Sequence, residues 1–372
     1  MQKQIQKKEK YRIDWCLLFL VCILTVIGLW MLFSTAGGVS RRWVMQLIAA
    51  GIGIVLFITI SFVDLRMAAG YRKTMYIGCI LALAAVLLFG IGKEQTGASS
   101  WIRIGPVGIQ PSEPVKVLFA VLFAEIIAEA GRKNTWNRPK NLFGIVLLFV
   151  PFFSLIVFQN DTGTALVYLF MFLVMLFAGG LGVRYFVGGL LAILPVIPAV
   201  WFCLAPYQQN RILVFFRPET DPSGSGYQVL QSKLSVASGG VSGRGWMQGI
   251  YNRLSLLPEK ETDFIFGVIG EELGFIGSVA VVVLLFLLCL RCFAIGANAA
   301  TKQGRILSAG IGAMFLFHIT ENIGMCLGLL PVTGIPLPFI SYGGSFFITC
   351  WLAAGVMQNV YAETETFRFY YN

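Results

Sequence analysis

The sequence predicts an all-α integral membrane protein: a polytopic bundle of about ten transmembrane helices, with one large outward connection between the seventh and eighth. Three observations carry that expectation. The chain is 57% hydrophobic and only 12% charged over 372 residues, and its mean hydropathy of +0.78 is more than one water-soluble core can absorb. Apolar runs long enough to cross about 30 Å of hydrocarbon recur nearly end to end. Polar and turn-forming residues gather in a few stretches between them.

Taken in order, the apolar runs fall at 15–33, 43–63, 75–92, 113–130, 141–158, 164–180, 185–203, 265–290, 305–329 and 345–361. The first is too long for a secretory h-region and is followed by further spans, so it reads as a retained signal-anchor. Lys3, Lys7, Lys8, Lys10 and Arg12 precede it, which places the N-terminus in the cytoplasm. Every second connection repeats the bias: Arg66, Arg72 and Lys73; Arg132, Lys133, Arg138 and Lys140; Arg184; then Arg291, Lys302 and Arg305. Both termini are therefore expected in the cytoplasm. Arg41 and Arg42 in the first outward loop oppose this, but two residues do not outweigh the rest.

The net charge of +10 reflects this inward bias and contact with anionic lipid. Nucleic-acid binding is not needed to explain it, and no aromatic-basic groove supports it. The eight cysteines lie mainly within spans, where thiols behave as small apolar groups rather than a disulfide framework. Cys289 and Cys292 form a lone C-x-x-C without further ligands nearby, and the one histidine, His318, reads as a hydrogen-bonded packing residue. No metal site is expected from protein ligands alone.

With this topology four outward connections, 93–112, 159–163, 204–262 and 330–344, collect nearly all the unusual polar sequence. The first contains Arg103 and then Gln110-Pro111-Ser112-Glu113-Pro114-Val115-Lys116, where proline, serine and an acid open a helix. Glu113 and Lys116 stand three apart and can pair on one face, either as a structural ion pair or as one that also positions substrate. The second places Asp161 just before a span, as a helix cap or as part of an outward site. The third carries Arg211, Arg217, Lys233, Arg244, Arg253 and Lys260 among aromatics and glycines, with 227–238 suited to a short amphipathic helix; it reads as a folded lid. The fourth, rich in proline and glycine up to Ser341-Tyr342-Gly343-Gly344, cannot be continuous helix, so it must be buried or line a cavity. Asp263 sits where the long polar stretch meets the next apolar run, a setting that can tune a carboxylate and present it to lipid-anchored substrates.

Gln110-Pro111-Ser112-Glu113, Asp161-Thr162-Gly163-Thr164-Ala165, Gly239-Gly240 through Gly245-Trp246, Thr262-Asp263-Phe264-Ile265-Phe266 with Gly270-Glu271-Glu272-Leu273-Gly274, and the run from Gly334 to Ser345 together resemble the SEDS family of RodA, FtsW and SpoVE. The resemblance spans the chain, and the run from Ile335 to Ile340 looks more like the elongation member RodA. It implies one membrane domain over 1–372, with 204–262 as an extracytoplasmic lid. The implied activity is that of a peptidoglycan glycosyltransferase in the bacterial cytoplasmic membrane, polymerising lipid II into glycan strands on the outer face during cell-wall elongation. The implied partners are a class B penicillin-binding transpeptidase and other elongation-complex membrane proteins. The family's essential loop aspartate matches Asp263; its helix-start acid and lysine match Glu113 and Lys116; the acid of its Asp-x-Gly-Thr-Ala motif matches Asp161.

The chemistry of the residues agrees. A hydroxyl attacking a sugar C1 must lose its proton, and Asp263 is the expected general base. Arg103, Lys116 and basic groups of the lid, Lys233 among them, are expected to meet the departing diphosphate; Gln110, Glu113, Asp161 and Ser341 complete the expected substrate-binding set. No cofactor is demanded, and a divalent cation (Mg2+ or Mn2+) is compatible with the leaving group. Two other classes fit many broken spans: a lipid II flippase or other transporter, and a non-catalytic scaffold for the transpeptidase. A transporter should hold its titratable groups near the midplane, whereas Glu113, Lys116, Asp161, Asp263, Glu271, Glu272 and Glu321 all map towards one side.

Overall fold

The protein's architecture is given by a computed structural model, which describes residues 12–65, 67, 70–91, 100–104, 107–132, 139–193, 195, 202, 206–221 and 224–371. The expected cytoplasmic cations Lys3, Lys7, Lys8, Lys10, Arg66, Lys133 and Arg138 lie outside the described residues, as does most of 194–203. The helices are α1 Trp15–Thr35, α2 Arg41–Ser61, α3 Arg72–Phe89, α4 Ser112–Arg132, α5 Pro139–Phe158, α6 Thr162–Ala178, α7 Val183–Ile193, α8 Pro206–Phe216, α9 Ser225–Ser238, α10 Ile250–Arg253, α11 Ile265–Ala297, α12 Lys302–Cys326 and α13 Gly344–Tyr371. The polytopic helical membrane fold is thus present. One departure is the connection before α4, which forms a two-stranded antiparallel ribbon, β1 Ile102–Ile104 paired with β2 Val107–Ile109. Alternation over so short a stretch gives no usable period in sequence.

Six helices among the described residues, α1, α2, α3, α5, α11 and α12, are long and apolar enough to cross a membrane. α4 carries Glu113, Lys116, Glu125 and Glu129, yet most of it is buried. Its neighbours α3, α5, α6, α12 and α13 shield it from lipid, so its polar groups are paired inside protein instead of meeting hydrocarbon. Side-chain caps set the starts of several helices: Asp14 accepts from Leu17 N, Ser40 from Trp43 N, Asp161 from Thr164 N and Thr301 from Gly304 N. The two ends of the bundle differ. One gathers Ser34, Arg42, Gln110, Asp161 and Asp263; the other gathers ion pairs such as Arg72 with Glu129, Arg132 with Glu125 and Arg291 with Asp14.

The long eighth apolar run is not one rod, contrary to the continuous span expected over 265–290. Gly274 has φ 66° and ψ −164°, a conformation essentially restricted to glycine, and it divides α11 in two. The turn 239–245, from the large connection, fills the gap. Arg244 N and Gly245 N donate to the carbonyls of Glu271 and Glu272 at 2.9 and 3.0 Å, while Phe275 N and Ile276 N donate to Gly240 O and Val241 O at 2.9 and 3.2 Å. Four backbone groups beside the break are therefore met by another segment, as broken helix within a membrane bundle requires. A Cβ at position 274 would lie 2.2 Å from Gly243 N. Gly274→Ala is expected to destabilise by about 1–3 kcal/mol from backbone strain alone, read as a lowered thermal midpoint of the detergent-purified protein. Gly51→Ala, which meets open space, should leave that midpoint nearly unchanged.

Candidate active site

Asp263 lies in the turn that delivers the large connection into α11, and it is partly exposed. Its backbone is fixed from α12: Asn322 Nδ2 donates to Asp263 O and to Ile335 O, each at 2.7 Å. One buried amide thus ties the aspartate to the non-helical loop that precedes α13. Ser341 adds a second tie, donating to Thr262 O at 2.6 Å while accepting from Leu337 N at 2.8 Å. A third is Tyr342 N to Glu261 O at 2.8 Å. The carboxylate itself faces Gly334, where an added Cβ would come 3.3 Å from Asp263 Oδ2. Gly334 has φ +76°, which favours glycine, so the position beside the acid carries no side chain. Phe264 holds the N-cap position of α11, and Lys260 donates to Asn252 O and Asn252 Oδ1.

A second polar cluster sits against the other side of the same loop. Lys116 is fully buried, with Nζ 2.9 Å from both oxygens of Glu113 and 3.1 Å from His318 Nε2. His318 Nδ1 lies 3.1 Å from Pro336 O, so it donates there and leaves Nε2 to accept from the ammonium. The imidazole stacks on Phe346 at 4.5 Å. Gln110 Nε2 donates to Asp161 Oδ2 at 2.8 Å, and Asp161 Oδ1 accepts from Thr164 N. Thr333 Oγ1 donates to Glu321 at 2.9 Å. His318, Glu321 and Asn322 are one turn of α12, and together they hold three successive parts of the loop at Pro336, Thr333 and Ile335.

The expected site residues thus divide. Glu113, Lys116, Gln110 and Asp161 converge on the loop that also walls Asp263. Ser341 is buried with its hydroxyl engaged on both sides, which makes it a brace for the Asp263 turn. Lys116, expected as a cation for a diphosphate, is sealed within its pair with Glu113. Arg103 is exposed on β1. Lys233 is exposed on α9, its side chain lying over Gly328 at the C-terminal end of α12, where a cation complements the helix dipole. Two further cations of the large connection, Arg253 and Lys260, line an open groove of about 510 Å3 with Ser34, Thr35, Asn252 and Ser255. Burial lowers the Lys260 pKa from the usual lysine range, against the pull of Glu261, Glu272 and Glu271. Among the described residues no three His, Cys, Asp or Glu side chains converge as a metal site. Mg2+ commonly takes one or two carboxylates beside substrate phosphates, a demand that Asp263 suits.

The sequence profile of the FTSW_RODA_SPOVE family, described as cell cycle protein, matches residues 14–366. The chain belongs to that family. It is 34% identical to the peptidoglycan glycosyltransferase MrdB of Escherichia coli over 96% of this chain and 95% of that protein. It is 35% identical to stage V sporulation protein E of Bacillus subtilis, over 93% and 96%. Among solved structures, a chain from a peptidoglycan synthase complex that coordinates polymerization and crosslinking superposes with a TM-score of 0.81 at 32% identity, covering 95% of this chain and 98% of that one. RodA of Thermus thermophilus superposes with a TM-score of 0.69 at 28% identity, over 94% and 96%.

Within this member of the FtsW/RodA/SpoVE family, sequence reasoning left Asn322, Asn252, Glu271 and Glu272 without roles. Glu271 accepts from Tyr251 N and Asn252 N, and Glu272 from Ser34 Oγ and Asn252 Nδ2, so the two acids clamp the end of the large connection to α11 and α1. The signal for Asn322 was visible: a polar trio at 318, 321 and 322, on one helical face of an otherwise apolar span.

Proposed function

We propose that this protein is a peptidoglycan glycosyltransferase that polymerises lipid II on the outer face of the cytoplasmic membrane, in cell-wall elongation. The observation that carries the reading is the Asp263 carboxylate, partly exposed beside the bare backbone of Gly334 and held by Asn322 and Ser341. Asp263 takes the proton of the acceptor hydroxyl as that oxygen attacks the donor sugar C1. The polyprenyl diphosphate departs from the opposite side, so the anomeric centre inverts. Arg253 and Lys260 of the groove, with Arg103, meet the charge that gathers on the leaving diphosphate. Gln110 and Asp161 contact the saccharides, while Glu113, Lys116, His318 and Ser341 act as positioning residues that hold the loop, and Lys233 fixes the lid over the end of α12. A divalent cation would add charge stabilisation at the diphosphate.

The remaining parts follow from the same reading. Residues 1–372 act as one domain with 204–262 as an extracytoplasmic lid. Both termini face the cytoplasm, supported by Arg12, Arg72, Arg132, Arg291, Lys302 and Arg305 at the end opposite Asp263. A class B penicillin-binding transpeptidase is the partner, in keeping with the synthase-complex chain it resembles. The test is incubation of purified protein with lipid II, with and without that transpeptidase, followed by detection of glycan strands. Strands are expected; lipid II translocation into vesicles without any polymer would instead establish a flippase. Asn322→Leu is expected to lower turnover by about 10²-fold through misplacement of Asp263, while the thermal midpoint moves by only a few degrees.

A further inference from the structure

At the end of the bundle opposite Asp263, Arg291, Asn298, Tyr361, Glu365 and Arg368 line a pocket of about 220 Å3. Its walls are the last turns of α11 and α13, and the segment just before α1 reaches into the same region. Arg291 Nε donates to Asp14 Oδ2 at 2.7 Å, and its guanidinium lies over the Tyr361 ring at 5.6 Å. Glu365 is shared by two cations, Arg12 at 2.8 Å and Arg368 at 3.0 Å. Arg368 also donates to Asn298 Oδ1 at 3.1 Å.

These pairs set three guanidiniums against two carboxylates among the described residues, and one positive charge is left over. Among the described residues Arg291 spends only its Nε, so its terminal N–H groups have no protein acceptor, and a guanidinium fork suits phosphate oxygens. The surroundings say what brings the phosphate. Trp15, next to Asp14, is 70% exposed, and Phe369, next to Arg368, is 72% exposed. Apolar rings flanking exposed cations at the end of a membrane-crossing helix mark the headgroup level of a bilayer.

We propose that this pocket binds the phosphate of an anionic glycerophospholipid from the adjacent leaflet. The phosphodiester's single negative charge balances the surplus guanidinium, Arg291 and Arg368 hold its oxygens, and the acyl chains run along the apolar outer face of the bundle beside Trp15 and Phe369. The site is remote from Asp263 and does not depend on the reaction performed there.

The experiment uses the full-length protein in detergent, titrated in parallel with dimyristoylphosphatidylglycerol, dimyristoylphosphatidylcholine and inorganic phosphate. Lipid retention is read by native mass spectrometry and the thermal midpoint by intrinsic fluorescence. Phosphatidylglycerol is expected to be retained preferentially and to raise the midpoint. Arg368→Gln leaves the Arg291–Asp14 pair in place, so it should fold, and it should lower the preference about fivefold, the effect of one guanidinium near an anionic headgroup. Lys302→Gln, at the same end but outside the pocket, should keep the preference. Equal retention of the two lipids by the unmodified protein, or an unchanged preference in Arg368→Gln, would overturn the proposal. Equal protection by inorganic phosphate would also overturn it, by assigning the pocket to a soluble anion.

Discussion

Asp263→Ala should lose glycan polymerisation while remaining inserted and folded. General-base help is worth about 10²–10⁴-fold, and described groups that could stand in are engaged elsewhere: Lys260 with Asn252, Glu259 with Thr262, Glu261 with Arg42 at 2.7 Å, and Glu321 with Thr333. The fold should survive because several ties to this turn run through backbone and through other side chains. Asn322 and Tyr342 N reach main-chain carbonyls, and Ser341 reaches Thr262 O. The check is paired: strand formation from purified lipid II alongside a melting curve of the same sample. Full polymerisation by a well-folded Asp263→Ala protein would remove the base from the mechanism. Asp263→Asn keeps the shape without the basicity, so it should be equally inactive.

The largest loss of stability is expected from Lys116→Ala. Glu113 and Lys116 are both buried, with Lys116 0% exposed, so removing the ammonium strands a carboxylate and deprives His318 Nε2 of its donor. Breaking one side of such a pair costs about 3–5 kcal/mol. The double substitution Glu113→Leu with Lys116→Met should recover most of it, since apolar groups of similar volume replace a buried pair at little net cost. Melting temperature separates these outcomes. Activity should not recover with stability, because the loop walling Asp263 is held at Pro336 through His318, and that hold depends on the ammonium.

Much of this arrangement was legible before any coordinates. The apolar runs gave the helices because lipid imposes length and composition on each span, and the turn-rich connections marked where polar side chains gather because backbone without helix must be sheltered. Asp263, Glu113, Lys116 and Asp161 stood out as charges at the seams between the two regimes. What periodicity could not reveal was partnership. Whether Lys116 reaches into a cavity or folds back onto Glu113 depends on His318, two hundred residues away in sequence. Ser341 stands in the expected substrate-binding set, and only the packed turn shows both its hydrogen-bonding directions occupied. The break at Gly274 hid for a different reason. Apart from Glu271 and Glu272, the residues flanking it within 265–290 are mostly apolar, and hydropathy does not register a single backbone angle.

That interruption has a consequence for anyone editing the extramembrane part of the chain. The segment 239–245 is a missing rung of the membrane-crossing ladder, not an appendage above it. Excising it, or threading a tag through it, would strip four main-chain groups of α11 of their partners. The sequence stretch that looks most dispensable is therefore one that cannot be exchanged between relatives unless α11 is exchanged with it.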